Sequence, residues 1–335
     1  MPGVDRPTQL YRYASQLPET VWNALSRKEA SANIILPFAE KARDHHQDDR
    51  QLWIVYYNED RDVVFVLSCT EGPLGKYPIF IFTPMSQEEL AQPNVTDPVE
   101  LLALTLLDSI PDARQRVFSV FSCVPVARKF AESWNNLTKA QIEEAPYYDA
   151  TLTYCTGDTI TDASIARPLP QDLSISLRRA DESHVEKVGH LCRSFSQLSE
   201  PYVLDEEGAR REAQLLVSNQ EVWIHLIQRG SSEWDVASLV ATTRQSKNVS
   251  AVTKVYTNPE WRNFGCAERL LRRVCKELLA HKEQIVLFVG TELCNARDVY
   301  RRVGFQGLDP GQQDPIDGVE QWLEIGFKGT ALGHW

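Results

Sequence analysis

Strand-length apolar runs alternate with amphipathic helical segments along nearly the whole chain, and this alternation restricts the fold more than any other feature. In the second half, LSISLRRA, EVWIHLIQ and WDVASLVATTR have the apolar patterns of strands. The segment AERLLRRVCKELLAHKE, which begins at Ala267, instead repeats its apolar residues at helical spacing, with Arg272 among the residues outside that stripe. Chains that interleave the two patterns form α/β domains. We therefore predict an α/β protein.

The chain divides into two such halves around a segment of linker composition. Residues 157–172, GDTITDASIARPLPQD, are small, polar and proline-bearing, so we predict one domain over 1–156 and another over 173–335. A length of 335 residues with 43% hydrophobic residues suits two ordinary domains, each with its own core. Residues 98–155 and 266–328 share the order helix, strand, helix, strand. This order indicates either a distant duplication or only the alternation common to α/β domains.

Charge and cysteine content limit the partners and the compartment. A net charge of −11 argues against nucleic-acid binding, which needs a basic surface. Seven scattered cysteines without a CxxC pair fit a reducing compartment. The start MPGVDRPTQLYRY has no apolar signal segment, and no apolar run reaches the roughly 18 residues of a membrane span. We predict a cytoplasmic protein that binds neither nucleic acid nor membrane. His45 and His46 lie in a charged stretch and are interpreted as solvated, so no metal is predicted.

The stretch NPEWRNFGCA precedes the helix that begins near Ala267 and has the residues of an anion-binding loop. A helix N-terminus has four amide groups without internal partners and about half a positive charge, so it binds anions. Gly265 leaves room for the close approach of a ligand, and Arg262 adds a charge suited to a phosphate. Walker and GxGxxG loops are excluded because their motifs are absent. An ordinary strand-to-helix turn is the alternative.

Two motifs at a suitable separation resemble those of the GCN5-related N-acetyltransferases (GNAT). The pattern R-x-x-G-x-A begins at Arg262 and follows a strand that ends V-x-x-x-P from Val255. About thirty residues further on, NARDVYRRVGF resembles the last helix of that family, with Tyr300 and a GF pair that begins at Gly304. The resemblance covers about residues 173–328. It implies the acyl-CoA N-acyltransferase fold, a mixed, mostly antiparallel twisted sheet flanked by helices, with acetyl-CoA as co-substrate.

The resemblance also implies roles for individual residues. The family fold splays its fourth and fifth strands, here VSAVTKVYT and QIVLFVGT, and the pantetheine would pair with the backbone of Val255, Tyr256 and Thr257. The pyrophosphate would meet the amides of Asn263, Phe264, Gly265, Cys266 and Ala267. Tyr300 would protonate the departing thiolate or hydrogen-bond to it. The acceptor amine would attack the thioester directly, without a covalent enzyme intermediate.

The sequence does not single out a general base. An amine with a pKa near 10.4 is only about 0.1% neutral at pH 7, so a base or a water chain to one is useful. Glu206, Glu207 and Asp205 are the candidates because they lie between the first two helices, a region that lines the acceptor site in the family. The alternative interpretation of this acidic run is a solvated helix start.

Several positions depart from the family pattern or have two interpretations. Asn263 stands where the family often has glycine, and Leu293 where it often has asparagine, so Asn295 becomes the candidate cofactor contact. Cys266 is either an oxidisable thiol at a helix N-terminus or a small filler. The arginines of NARDVYRRVGF either reach the phosphates of coenzyme A or form a solvated face.

These observations lead to one function with two alternatives. The first is an acetyl-CoA-dependent N-acetyltransferase that acts on the amine of a small molecule. The alternatives are a protein or peptide lysine acetyltransferase and a non-catalytic acyl-CoA-binding protein. The N-terminal half lacks R-x-x-G-x-A, so it is either a degenerate copy or a substrate-selecting domain, and no chemistry is assigned to it. The oligomeric state is not predicted.

Overall fold

The computed structural model describes residues 7–44, 51–92, 96–162, 168–312 and 314–334. His45, His46 and the centre of the predicted linker lie outside these ranges. In the described part of the chain, no helix is long and apolar enough to cross a membrane.

The strands and helices alternate as the apolar patterns predict. The strands are β1 (Thr8–Tyr11), β2 (Leu52–Tyr57), β3 (Val63–Cys69), β4 (Glu71–Gly72), β5 (Gly75–Lys76), β6 (Ile79–Phe82), β7 (Ser119–Cys123), β8 (Tyr148–Thr156), β9 (Leu173–Arg179), β10 (Val222–Arg229), β11 (Asp235–Ala241), β12 (Arg244–Gln245), β13 (Val249–Val252), β14 (Lys254–Thr257), β15 (Gln284–Gly290) and β16 (Glu320–Gly326). The helices are α1 (Glu19–Arg27), α2 (Glu29–Ala32), α3 (Leu36–Asp44), α4 (Gln87–Leu90), α5 (Thr96–Ser109), α6 (Ala113–Arg116), α7 (Val124–Thr138), α8 (Val185–Ser196), α9 (Glu206–Ser218), α10 (Cys266–Leu279) and α11 (Cys294–Val303).

The chain folds as two compact units. Unit 1 comprises Met1–Ala150 and Glu320–Trp335, and unit 2 comprises Thr151–Val319. In unit 1, β1, β2, β3 and β6 pair antiparallel in that order, β6 pairs with β7 in parallel, and β7 pairs with β16 antiparallel. The strand sequences are mostly apolar, with buried serines in β3 and β7, and nearly all of their side chains are buried, as expected for a sheet covered on both faces.

Unit 2 contains the two sheets that position the candidate site. Strands β9, β10, β11 and β14 form an antiparallel sheet in the order β14-β11-β10-β9. Strands β12 and β13 pair antiparallel, and β13 pairs with β15 in parallel. Alternation along β10 separates two cores: Ile224 packs with α8 and α9, whereas Trp223 packs with the apolar stripe of α10. The mixed, mostly antiparallel sheet with flanking helices is the predicted fold class.

The last strand belongs to unit 1, whereas the sequence pattern assigns it to the domain over 173–335. Strand β16 pairs with β7 from Trp322↔Cys123 to Gly326↔Ser119. Residues 151–156 of β8, predicted to close the N-terminal domain, instead belong to unit 2. An apolar run identifies a strand but not its partner, so hydropathy alone does not decide which sheet a terminal strand joins.

The first part of the predicted linker is packed structure rather than a free connection. Thr161 N donates to Val303 O at 3.0 Å, and the Thr161 hydroxyl donates to Arg302 O at 2.6 Å. These bonds satisfy carbonyl groups at the end of α11, for which the helix itself supplies no N–H donor. The small, polar composition of residues 157–162 therefore serves close packing against a helix end.

Candidate functional site

A gap between β14 and β15 opens at Thr253. Up to Val252 the chain runs beside β15, with Val252 opposite Leu287. From Lys254 onwards it pairs with β11 instead, and Thr253 N donates to Ala241 O at 2.9 Å where the change begins. The run VSAVTKVYT, predicted as one strand, is thus two strands in two sheets. The splay that the resemblance implies is present, and the chain changes sheets between β13 and β14.

Strand β14 is the edge of its sheet. Its neighbour on one side is β11, and among the described residues no strand pairs with its other side. An unpaired strand edge offers backbone N–H and C=O groups to an extended ligand. Val255, Tyr256 and Thr257, the predicted pantetheine contacts, lie on this edge strand.

The loop before α10 has two residues in the left-handed region, at Asn263 (φ 66°) and Gly265 (φ 74°). After glycine, asparagine is among the residues that tolerate this conformation best, which explains why it replaces the family's usual glycine at position 263. At Gly265 a Cβ would also lie 3.3 Å from the Arg269 Nη1 atom. Both the backbone conformation and the available space therefore favour glycine at position 265.

The first turn of α10 presents amide groups that the helix itself does not use. Gly265 is the N-cap and supplies no side-chain hydrogen bond, and the first bond of the helix runs from Arg269 N to Gly265 O at 3.1 Å. The amides of Cys266, Ala267 and Glu268 precede that bond, so they have no acceptor within the helix. A helix start of this kind, together with the helix dipole, suits a phosphate group.

Two arginines flank the loop in different ways. Arg262 is exposed, with its guanidinium carbon 5.8 Å from the centroid of the Tyr256 ring, and it forms no ion pair with a carboxylate in the described chain. Arg269 folds back beneath the loop and donates from Nη1 to the carbonyl of Phe264. Burial lowers the pKa of Arg269 below its ordinary value. Arg262 is therefore the arginine that is free to contact a ligand anion, while Arg269 holds the loop.

Cys266 lies at the start of α10 but is buried. Burial raises the pKa of its thiol to about 11, so the thiol is protonated at neutral pH. It packs with Ile227 and Ala237 of the sheet. This environment favours the small-filler interpretation over an oxidisable thiolate.

Tyr300 lies on α11 and packs against the core of unit 2. Its ring centroid is 5.9 Å from that of Phe305, and burial raises the pKa of its phenol above the ordinary value. Throughout the described residues the Tyr300 hydroxyl has no hydrogen-bond partner. The phenol is therefore protonated at neutral pH and available as a donor.

The GF pair ends the helix that carries Tyr300. Gly304 (φ 119°) and Phe305 both donate their amides to Tyr300 O, each at 3.1 Å. A Cβ at Gly304 would lie 2.2 Å from the carbonyl oxygen of Thr159. Gly304 thus permits both the end of α11 and the close packing of Thr159, which follows β8, against that end.

The remaining predicted site residues, Glu206, Glu207 and Asn295, are exposed at the surface. The side chain of Glu206 is 92% exposed and lies 4.0 Å from Arg193, and that of Glu207 is 79% exposed and lies 3.5 Å from Arg211. Asn295 is exposed in the first turn of α11. The surroundings of the two glutamates match the solvated helix start described above, and their role as a base stays a prediction.

The arginines near the end of α11 have partners of their own. Arg297 donates to the Thr151 hydroxyl at 3.0 Å, Arg301 lies 3.6 Å from Asp298, and Arg302 donates to Glu268 at 2.8 Å. Arg302 is exposed despite its ion pair, and both interpretations offered by the sequence, phosphate ligands or a solvated face, stay predictions.

Glu268 and Arg272 form a buried pair that the helical pattern missed. The apolar stripe places Arg272 outside the core, yet the side chain is 2% exposed and donates to Glu268 at 2.9 Å. The spacing of four residues between a glutamate and an arginine was the available signal. Burial alone would raise the pKa of Glu268, but its bonds to Arg302 and Arg272 outweigh burial and lower it. The two arginines compensate the acidic charge in the first turn of α10.

The parallel strand pair β6 and β7 in the described part of unit 1 has different surroundings. The Ser122 hydroxyl donates to Ile81 O at 2.7 Å, so a side chain of β7 is already hydrogen-bonded to a backbone carbonyl of β6. The first turn of α5 contains Asp97, whose negative charge opposes an anion. That the N-terminal half does not hold a pyrophosphate in the same way stays a prediction.

Comparison with known proteins identifies the fold. A family model described as FR47-like protein matches residues 230–311, which include the loop and Tyr300. No curated relative matches the sequence. A tandem GNAT protein from the clavulanic acid biosynthesis pathway is 13% identical, with a TM-score of 0.53 over 97% of this chain and 99% of that one. A GCN5-related N-acetyltransferase from Sphaerobacter thermophilus is 14% identical, with a TM-score of 0.52 over 97% and 96%. A Drosophila protein is 11% identical, with a TM-score of 0.60 over 96% and 98%.

Proposed function

Because this chain has the fold of the GCN5-related N-acetyltransferases, we propose that unit 2 transfers an acetyl group from acetyl-CoA directly to the amine of a small-molecule acceptor. The fold supports an acyl-CoA-dependent acyltransferase, and the small-molecule amine is the finer part of the proposal. The observation that carries the proposal is the combination of the open β14 edge and the uncapped first turn of α10 within one unit.

The residues of unit 2 fit coenzyme A. The backbone of Val255–Thr257 would hold the pantetheine, and the amides at the start of α10 would hold the pyrophosphate. Arg262 would add a charged contact to a phosphate. Acetyl-CoA, when bound, supplies the acetyl group as a thioester activated towards amines.

The chain's own residues would contribute position and protons. Tyr300 holds a proton at neutral pH, as any phenol with a pKa near 10 does, and burial raises its pKa further, so the proton is present for a leaving thiolate. The substrate amine must lose a proton to become a nucleophile. Glu206, Glu207 or water is proposed to take up that proton. Much of the rate would come from holding both substrates in line.

A thermal melt of the purified full chain tests the cofactor assignment. We expect acetyl-CoA and CoA, each near millimolar, to raise Tm by about 2–4 °C, because a ligand at a hundred times its Kd adds about 2.7 kcal/mol. ATP serves as the control anion and is expected to have little effect. No shift with any of the three would contradict the proposal and leave the loop as a plain turn.

Replacing Arg262 by alanine is expected to weaken CoA binding about tenfold, because the exposed guanidinium has no competing carboxylate and its charge is available to a phosphate. Isothermal titration calorimetry measures the change in Kd. Arg273→Ala is the matched control, because Arg273 is an exposed arginine of α10 that pairs with Glu277 at 3.6 Å. Equal losses of affinity in both variants would show that CoA binding depends on the net positive charge contributed by arginines of unit 2 and not on the position of Arg262.

A further inference from the structure

A buried histidine lies on the face of β10 that packs against α10. His225 is 0% exposed, and its neighbours two residues away, Trp223 and Ile227, pack with residues of α10. Since side chains alternate along a strand, His225 faces the same helix. Neither ring nitrogen has a hydrogen-bond partner within the part of the chain that the structure describes. Buried polar groups are nearly always paired, so this exception requires an explanation.

His225 belongs to a polar row that crosses the sheet to the edge strand. His225 is opposite Ser238 on β11, and Ser238 is opposite Thr257 on β14. The Ser238 hydroxyl donates to Tyr256 O at 2.7 Å and lies 3.1 Å from the Thr257 hydroxyl. The row therefore leads from a fully buried imidazole to the strand edge assigned to the pantetheine.

The charges around His225 explain why it is neutral in the absence of a ligand. Burial and the positive charge of Arg269 lower the pKa of His225 to about 4. From α10, Arg269 acts on the ring through its charge, and the protonated thiol of Cys266 packs with Ile227, two residues along β10. Ser238 of β11 and Leu177 of β9 lie opposite His225, and Thr257 of β14 lies opposite Ser238. Further along the same face, Arg179 of β9 covers Trp223 and lies 3.9 Å from Glu277 of α10. No carboxylate in the described chain bonds to the ring, and burial outweighs the nearby backbone groups of His225 and Leu226, which act to raise the pKa of His225.

An anion at the first turn of α10 would reverse this balance. A negative charge near a histidine favours its protonated form. The first turn of α10, the proposed pyrophosphate site, packs on the same face of β10, where Cys266 lies with Ile227. We propose that His225 takes up a proton when the pyrophosphate of coenzyme A binds, so that its imidazolium joins the positive charge beneath the loop. This inference rests on the proposed function of the same site.

The sign of the pH dependence follows from linkage. If the bound anion raises the pKa of His225, the complex holds more protons than the free protein between pH 4 and the ordinary value of 6.5. Cofactor affinity should then increase as pH falls through this window, by up to about tenfold per pH unit for one proton taken up. Above the ordinary pKa of histidine the effect should vanish.

Calorimetry of the full chain with dephospho-coenzyme A tests the proposal. This probe retains the pyrophosphate but lacks the phosphate monoester, whose own second pKa near 6 would confuse the proton count. Titrations at pH 5.5 in buffers with different protonation enthalpies give the number of protons taken up per ligand bound. We expect about half a proton or more for the natural protein and close to none for His225→Gln and His225→Phe.

Control variants make the outcome decisive. His225→Phe removes two buried polar atoms that have no hydrogen-bond partner, so it is expected to fold at least as stably as the natural protein and to bind the probe without proton uptake. His190→Gln alters an exposed histidine on α8 and should keep the full uptake. Uptake that persists in both His225 variants, or binding by the natural protein without uptake, overturns the proposal. Absence of any binding at pH 7.5 instead contradicts the proposed function itself.

Discussion

Replacing Tyr300 by phenylalanine is expected to lower kcat by about 10²- to 10⁴-fold, the usual contribution of a positioned general acid. The ring that packs near Phe305 is retained, and the lost hydroxyl bonds to no group in the described chain. Stability and CoA affinity should therefore stay close to those of the natural protein. The measurement is steady-state release of the CoA thiol with the amine that an acceptor screen identifies, beside a calorimetric titration with CoA.

Tyr154→Phe is the matched control, since Tyr154 is a partly buried tyrosine of β8 outside the proposed site. Its kcat is expected to be unchanged. Because burial raises the pKa of Tyr300, the acid should stay protonated and kcat should show no loss from this group up to at least pH 9. Full turnover by Tyr300→Phe would exclude the phenol as the proton donor. CoA binding without turnover in the natural protein would favour the acyl-CoA-binding alternative.

The second large effect is expected at Gly304, where alanine should reduce the free energy of unfolding by more than about 3 kcal/mol. Gly304 has φ 119°, and a Cβ there would lie 2.2 Å from Thr159 O and 2.9 Å from the Cα of Ile160. Both clashes are with backbone, which cannot rotate away as a side chain can. Urea unfolding of the full chain, followed by tryptophan fluorescence, measures the loss.

Gly311→Ala separates the clash from the backbone conformation. Gly311 also has a positive φ, 80°, but a Cβ there would meet no atom within 4 Å. This variant should therefore lose only about 1–2 kcal/mol, the usual cost of a left-handed residue with a side chain. Equal losses at the two glycines would mean that the segment around Thr159 moves aside and that its packing on α11 contributes little.

The sequence pattern was sufficient to predict features that depend on residues close together in the chain. The strand-to-helix loop combines a residue without a side chain at 265, an arginine at 262 and a helix directly after it, and all three are readable in WRNFGCAERLL. The terminal helix with Tyr300 and its GF end is likewise a local pattern, because a C-cap is made by neighbouring residues. The confirmed fold class and family resemblance depend on these motifs.

Sequence patterns were insufficient where residues far apart in the chain determine pairing or burial. The run VSAVTKVYT is uniformly strand-like, and only the competing partners β15 and β11 break it at Thr253. Arg272 looks like a surface residue on a helical projection, yet Glu268 brings it into the interior. His225 sits in the strand-like run EVWIHLIQ without any signal that both of its nitrogens would be buried and unpaired.

The sequence by itself therefore determined the alternation of strands and helices, the loop before α10 and the helix of Tyr300, because each arises from periodicity or from contacts within a few residues. Only the tertiary structure decided that β16 joins unit 1 and that residues 151–156 belong to unit 2. It also decided which arginines have carboxylate partners and which histidine is buried without a hydrogen bond in the described chain. The physical reason is that pairing partners, burial and local electrostatics depend on residues far apart in the chain, and no local pattern encodes them.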